Sequence, residues 1–389
     1  MILSAALFWS AVTLLGYTYL AFPALVMVRG LLRPRPYSSG SRAPSVSIVI
    51  AARNEAAAIG AKVVNLLALD YDRERLEVIV VSDGSTDGTS EIAAARAGDG
   101  QVRVLDLPRV GKATALNAGV AVASGEILVF SDANSLYAPA ALRALVRPFA
   151  DPEVGGVAGD QRYRGSRDAD GIVAGERGYW AFDRFLKACE SRGGNVISAT
   201  GAIYAIRREL FERIPDGVTD DFFTSTGVIA RGRRLIFAPD AIAYEPPAPS
   251  GALEFARKVR VITRGLRAVR ARRELLNVRR HGFYAVALLS HKVLRRLMVV
   301  PLIALAVTSV ALAMTGQPFY QAVAGGQALF YGCAALGLVI PSRARLLKFP
   351  AYFCLVNAAA ARAVWNVLRG RRIDRWEPAR ASDAAGAGE

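Results

Sequence analysis

LEVIVVSDGSTDGT (76–89) and GEILVFSDAN (125–134) are built alike. Each is a run of β-branched and aliphatic residues that reaches an aspartate and then breaks into a turn. Apolar runs of this length, bounded by Gly, Ser and Asp, read as strands buried on both faces. VSIVIAA (46–52), which ends in the loop ARNEA, and VRVLD (102–106) belong to the same set. Helical patterns lie between them. Ile59, Val63, Leu66 and Leu67 recur at helical spacing over 56–69, and Thr86 is placed to cap a helix over 87–97. KATALNAGVAVA predicts a helix over 112–123, and Pro139 opens another near its first turn. Such alternation predicts an α/β domain around a mostly parallel sheet with both faces covered. Ligands of these sheets bind beyond the carboxyl ends of the strands. Asp83 and Asp132 each end a strand run there, so a shared site is expected, although Asp is also a common turn residue. No GxGxxG follows the first strand and no GxxxxGK[ST] occurs, which argues against a dinucleotide enzyme and a P-loop ATPase.

Composition places this domain at a membrane. The 389 residues are 53 % hydrophobic and 21 % charged, with mean hydropathy +0.27 and a formal net charge of +16. That excludes a disordered chain and departs from an ordinary soluble domain. Three cysteines show no metal-ligand spacing, and the histidines are His281 and His291 alone. A disulfide framework, a multi-His metal centre and a Ser-His-Asp triad are therefore not expected. Chemistry must rest on carboxylates, Arg and Lys.

Residues 1–28 carry no charge, enough for one transmembrane helix, and no basic residue precedes the apolar run as a secretory leader would require. Arg29, Arg33, Arg35, Arg42 and Arg53 follow before any acid. The positive-inside rule then puts the domain, 40–250, in the cytoplasm beneath a multi-pass inner (plasma) membrane protein. A second charge-free block predicts a transmembrane hairpin over 298–340, broken at Gly316-Gln317-Pro318. The segment 349–368 reads as membrane-associated or as a third span, because its uncharged run stops after 13 residues at Arg362. Residues 369–389 form a basic, then small-residue, tail. Between domain and hairpin, 251–297 reads as basic amphipathic interfacial helices: 257–296 holds 13 Lys/Arg against one acid, Glu274. This stretch suits anionic membrane lipids, and no base-stacking or groove-reading feature points to nucleic acid.

SIVIAARNEAAAIG, EVIVVSDGSTDGT, GKATALNAGVAVASGEILVFSDAN and VTDDFF, in this order, resemble the inverting family-2 glycosyltransferases of GT-A fold over about residues 46–265. The flanking apolar segments resemble the polysaccharide-synthase branch, with the chitin, cellulose, hyaluronan and Nod-factor synthases. The resemblance implies a nucleotide-sugar donor, taken as UDP-linked, a glycan or lipid-linked acceptor, and a divalent metal, Mn²⁺ or Mg²⁺. It assigns Arg53, Asn54 and Glu55 to the nucleotide loop, Asp83 to uracil or ribose, and Lys112 to the diphosphate. Asp132-Ala133-Asn134 matches the DxD motif with Asn in the last place, giving Asp132 and Asn134 to ribose and metal. An Asn carbonyl still offers oxygen but no charge. Thr219-Asp220-Asp221 matches TED, which makes Asp221 the catalytic base and sets Asp220 beside it; a neighbouring acid tends to raise the base's pKa. Gly201, in ISATGAIYAIRREL, falls on the acceptor side. QxxRW becomes Arg257-Lys258-Val259-Arg260-Val261: Arg260 keeps its place near the diphosphate, Arg257 replaces Gln, and Val261 replaces the Trp at the acceptor end. A single or short addition is therefore expected. The alternatives are a processive synthase that also translocates its polymer, alone or with an oligomer or export subunit, and a non-catalytic nucleotide-sugar-binding scaffold. A transporter is disfavoured by the few polar groups in the spans.

Overall fold

In the computed structural model the chain is described over residues 1–40, 43–96, 100–163, 171–246, 251–340 and 344–371; most of the tail lies outside the described residues. Eight strands form one sheet: β1 Val46–Ala52, β2 Leu76–Asp83, β3 Val102–Leu107, β4 Ile127–Phe130, β5 Leu136–Tyr137, β6 Val154–Tyr163, β7 Tyr204–Arg207 and β8 Arg234–Glu245. Their order is β3-β2-β1-β4-β7-β6-β8-β5. The β3-β2-β1-β4 half is parallel, as is β6–β8, while β7 pairs antiparallel with β4 and β6, and β5 with β8. The predicted α/β class and mostly parallel sheet are present, with a mixed second half.

All seven residues of β1 are buried, and alternate side chains enter different cores. Ile48 and Ile50 meet Ile59, Val63 and Leu66 of the helix Ala56–Leu67 on one face. Val49 and Val81 meet the helix Lys112–Ala121 on the other. Burying each such side chain contributes roughly 1.5–3 kcal/mol. The second helix sits so close that a Cβ on Gly119 would lie 2.6 Å from Val49 Cγ1.

Local departures from the sequence expectations have visible causes. β4 stops at Phe130, so Asp132 stands in the following turn rather than ending the strand. That turn closes when the Ser135 N–H donates to the Asp132 carbonyl at 3.3 Å. The helix predicted over 87–97 runs Thr89–Ala95, and Thr86 does not cap it. Thr86 N–H donates to Asn54 Oδ1 at 2.8 Å instead, and Asp87 Oδ1 accepts from Thr89 N–H at 3.2 Å. Past Pro139 the helix begins at Ala141 and tightens to 3₁₀ over Arg147–Ala150.

The apolar helices are Ile2–Leu32, with a π-helical turn at Tyr17–Ala21, then Val299–Ala313, Pro318–Val339 and Arg345–Leu368. By length and composition Ile2–Leu32, Pro318–Val339 and Leu346–Leu368 suffice to cross a membrane. Phe283–Leu297 and Val299–Ala313, bent by 51°, would make a fourth span if counted together. The first helix continues past the charge-free run: Phe22 and Val26 enter the domain core with Leu186 of the helix Gly171–Gly193. Arg345–Leu368 lies along the helix Gly251–Ala271, where Ile262 packs with Ala360 and Ala363. The basic stretch is not one exposed helix. Arg264 and Arg272 are buried: Arg264 Nε donates to the Val218 carbonyl at 3.1 Å, and Arg272 pairs with Glu212 at 2.7 Å. Part of its charge therefore braces the domain rather than facing lipid.

Candidate active site

The carboxyl ends of β1, β2 and β4 open onto one edge of the sheet, where Lys112 is the centre of charge. Its helix begins after Gly111, whose φ of +93° favours glycine. Asp83 fixes that start: its Oδ1 accepts from the N–H groups of Val110 at 2.6 Å and Gly111 at 2.8 Å. Lys112 Nζ then reaches Asp132 Oδ1 at 2.7 Å and Asp220 Oδ2 at 3.2 Å. Burial pulls this ammonium down, but Asp132 and Asp220 outweigh it and hold the pKa well above the usual lysine range. Residues from three motifs meet at one cation.

Asp221 follows in the first turn of the helix Asp220–Ala230. Burial, then the Asp220 charge beside it, pushes its carboxyl up to about 6; Lys112 and the Phe222 amide, which donates to Oδ1 at 2.7 Å, pull the other way. A carboxylate so poised is a competent base near neutral pH. Gly201 packs on Asp132, where a Cβ would stand 2.8 Å from Oδ2. Its lack of a side chain makes room for this acid and brings the 197–210 segment against the Asp132 turn.

The β1 loop is laced to the β2 loop. Arg53 Nη1 donates to the Asp83 carbonyl at 3.4 Å. Asn54, with φ +48°, donates its N–H to Ser85 Oγ and accepts at Oδ1 from the Thr86 N–H, while the Glu55 N–H donates to Thr89 Oγ1 at 2.8 Å. Much of Asn54 is thus spent on shaping the loop. Arg257 forks onto Glu254 at 2.8 and 3.3 Å. Arg260 is half-buried one turn before Arg264, on the helix that runs past the Val218–Asp221 segment.

Three contributors were not anticipated. Glu245 ends β8; burial, then the Asp132 charge, pushes its carboxyl up to about 7, while Gln161, which donates to it at 2.5 Å, and then Arg257 lower it. An apolar strand ending on an acid was the available signal. Lys62 is fully buried beneath the Asp132 turn and donates to Ser131 Oγ at 2.7 Å and the Ser135 carbonyl at 2.5 Å. It is a lone charge on an apolar helical face. Lys292 comes from the basic stretch, its Nζ 5.7 Å from the Phe222 ring, and acts on the Asp221 charge. Nothing local in sequence marked it.

Asp132, Asn134 and Glu245 offer only oxygen donors, the set that hard divalent cations prefer. No group of three His, Cys, Asp or Glu side chains is poised for a metal among the described residues, so an ion here would lean on substrate oxygens.

The glycosyl transferase family 2 profile matches residues 47–215. The poly-beta-1,6-N-acetyl-D-glucosamine synthase of Staphylococcus aureus is 26 % identical over 243 residues, 61 % of this chain and 58 % of that protein. The beta-monoglucosyldiacylglycerol synthase of Nostoc sp. is 35 % identical over 156 residues, 38 % of this chain and 33 % of that one. This chain thus matches 58 % or less of the length of these relatives. Among solved structures, the mannosyltransferase PcManGT of Pyrobaculum calidifontis, in complex with GDP-Man and Mn²⁺, is 26 % identical with a TM-score of 0.73. That match covers 94 % of this chain and 100 % of the other.

Proposed function

We propose, on the premise that residues 47–215 are a glycosyl transferase family 2 domain, that this chain is a membrane-embedded inverting glycosyltransferase. It moves a sugar from a nucleoside diphosphate donor to a glycan or lipid-linked acceptor at the cytoplasmic face of the membrane. The observation that carries this reading is the Lys112 ammonium held between Asp132 and Asp220 with Asp221 adjoining. It sets a cation for a diphosphate and a base for a hydroxyl side by side.

Asp221 takes the proton as the acceptor oxygen attacks the anomeric carbon. The new C–O bond forms as the bond to the donor phosphate breaks, and the electron pair leaves with the nucleoside diphosphate. Attack from the opposite face inverts the centre. Lys112 and Arg260 offset the charge growing on the leaving diphosphate. Asp83 holds the Val110–Gly111 turn that aims Lys112. Asp132, Asn134 and Glu245 would hold the divalent cation, which when bound adds positive charge beside the diphosphate.

The test uses the full chain in detergent with labelled UDP- and GDP-sugars. Asp221→Asn is expected to abolish transfer while nucleoside diphosphate binding survives, since the base acts on the acceptor. Transfer at the wild-type rate would remove Asp221 from the mechanism. Absence of transfer by the wild type from every donor, with nucleotide still bound, would favour the non-catalytic scaffold.

A further inference from the structure

Away from the acids, a cleft of about 200 Å³ opens where the first apolar helix meets the helix Gly171–Gly193 and the start of Phe283–Leu288. Arg29, Arg35 and His281 line it, with Glu190, Gly194 and Phe283. Arg29 stacks on Phe283, its Cζ 4.6 Å from the ring centroid. Its Nε is enclosed and meets no hydrogen-bond partner among the described residues, and the same holds for His281 Nε2. Such atoms are costly unless something binds them. Arg35 touches Glu153 at 3.3 Å on the surface, an exposed pair that is easily exchanged. The one acid lining the cleft is Glu190. Burial pushes its carboxyl up to about 8, so it opposes an anion less than an ordinary carboxylate would.

The cleft also sits at the bilayer boundary. Arg29 is the first charge after 28 uncharged residues. Leu25, Val28, Leu31 and Leu32 of its helix stay exposed, as does Val278 before His281. Apolar side chains uncovered on the same turns as a cationic cleft suit acyl chains on one side and a headgroup on the other.

We infer that this cleft binds the phosphodiester headgroup of an anionic phospholipid, with Arg29 and Arg35 as its cationic contacts. The inference rests on the membrane reading above. A liquid water occupies ~30 Å³, so the cleft has room for a phosphate group and its glycerol carbons.

The experiment takes the delipidated full chain in detergent and reads bound lipid by native mass spectrometry and thermal stabilisation. The probes are short-chain phosphatidylglycerol, short-chain phosphatidylcholine and inorganic phosphate. Phosphatidylglycerol is expected to bind and stabilise, and phosphatidylcholine to do so far less. Arg29→Gln and Arg35→Gln should each weaken phosphatidylglycerol binding about tenfold, the loss of one charge-assisted contact. Arg270→Gln, at an exposed arginine elsewhere in the basic stretch, should not. Arg35 is the safeguard if Arg29→Gln fails to fold, because its side chain is more than half exposed. Variants that bind phosphatidylglycerol like the wild type overturn the site while leaving the membrane reading intact. Inorganic phosphate that stabilises as much as the lipid overturns the lipid assignment. Release of the chain from vesicles by alkaline carbonate overturns the membrane reading and this inference together.

Discussion

As the base proposed above, Asp221 accepts a proton only when ionised, so its surroundings would set the pH at which transfer works. Its carboxyl is pushed up to about 6, by burial first and Asp220 second. Activity should therefore fall as pH drops through about 6, and kcat/KM for the acceptor should show an acid limb there. The sign for a neighbouring change follows. Asp220→Asn removes a like charge, which makes ionisation of Asp221 easier and moves the limb to lower pH. The same change takes a carboxylate from Lys112, so donor KM should rise as well. A pH profile of the variant with its acid limb unmoved would show that Asp220 does not tune the base. Because the two acids share Lys112 and stand next to each other, the limb belongs to the pair and not to one residue.

At the scale of elements, the Asp132 turn depends on a lysine from another helix. Lys62 donates to Ser131 and Ser135, stacks 4.2 Å over the Tyr137 ring, and has its pKa lowered to about 7 by burial. Lys62→Met frees the Ser135 carbonyl and loosens the turn that carries Asp132 and Asn134, so donor KM should rise about tenfold with the acid limb of Asp221 unchanged. The unpaired carbonyl should cost about 1–3 kcal/mol. Linkage gives a second readout. Between about 7 and the ordinary value of 10.5 the unfolded chain keeps the Lys62 proton and the folded chain does not. This group's contribution to stability therefore increases as pH rises through that window. Thermal melts of Lys62→Met should lack that increase; an identical pH slope in both proteins would mean Lys62 is not buried as described. This element also shows where sequence was readable. β1 and β2 were legible because strands buried on both faces are written as nearly unbroken apolar runs, whereas β3, at the sheet edge with Arg103 and Asp106 exposed, showed as a short apolar run broken by charges. β6 was not, because Gly155, Gly156 and Gly159 read as turn signals. They are close-packing positions, where a Cβ on Gly159 would lie 2.7 Å from the Ala241 carbonyl. Within the site, Asp83, Lys112, Asp132 and Asp221 stood in local motifs. Glu245 and Lys62 carried only a local hint, an acid ending an apolar strand and a lone charge on an apolar helical face, and Lys292 reaches the cluster only through tertiary packing, which local spacing does not encode.

For the whole molecule the question is how long the product becomes. Domain and apolar helices are one packed body: Arg264 braces the segment that carries Asp220 and Asp221, and its helix lies along Arg345–Leu368. On the reading proposed above, the acceptor approaches beside the helix Gly251–Ala271. On that helix Val261 is 50 % exposed, one residue past Arg260, where the resemblance places an aromatic side chain. A processive enzyme must hold the growing chain between additions, and flat aromatic faces stacked on the terminal sugar are suited to that. An exposed valine shields part of a sugar face but supplies neither the area nor the polarisable surface. The acceptor should then leave after one or a few transfers. Size analysis of the product, at excess donor and limiting acceptor, should give one discrete species only slightly longer than the acceptor. Val261→Trp should lengthen it, provided the rest of the acceptor path is intact. High-molecular-mass polymer formed while most acceptor stays unused would show that the chain is held by other contacts and would take the product-length role away from Val261.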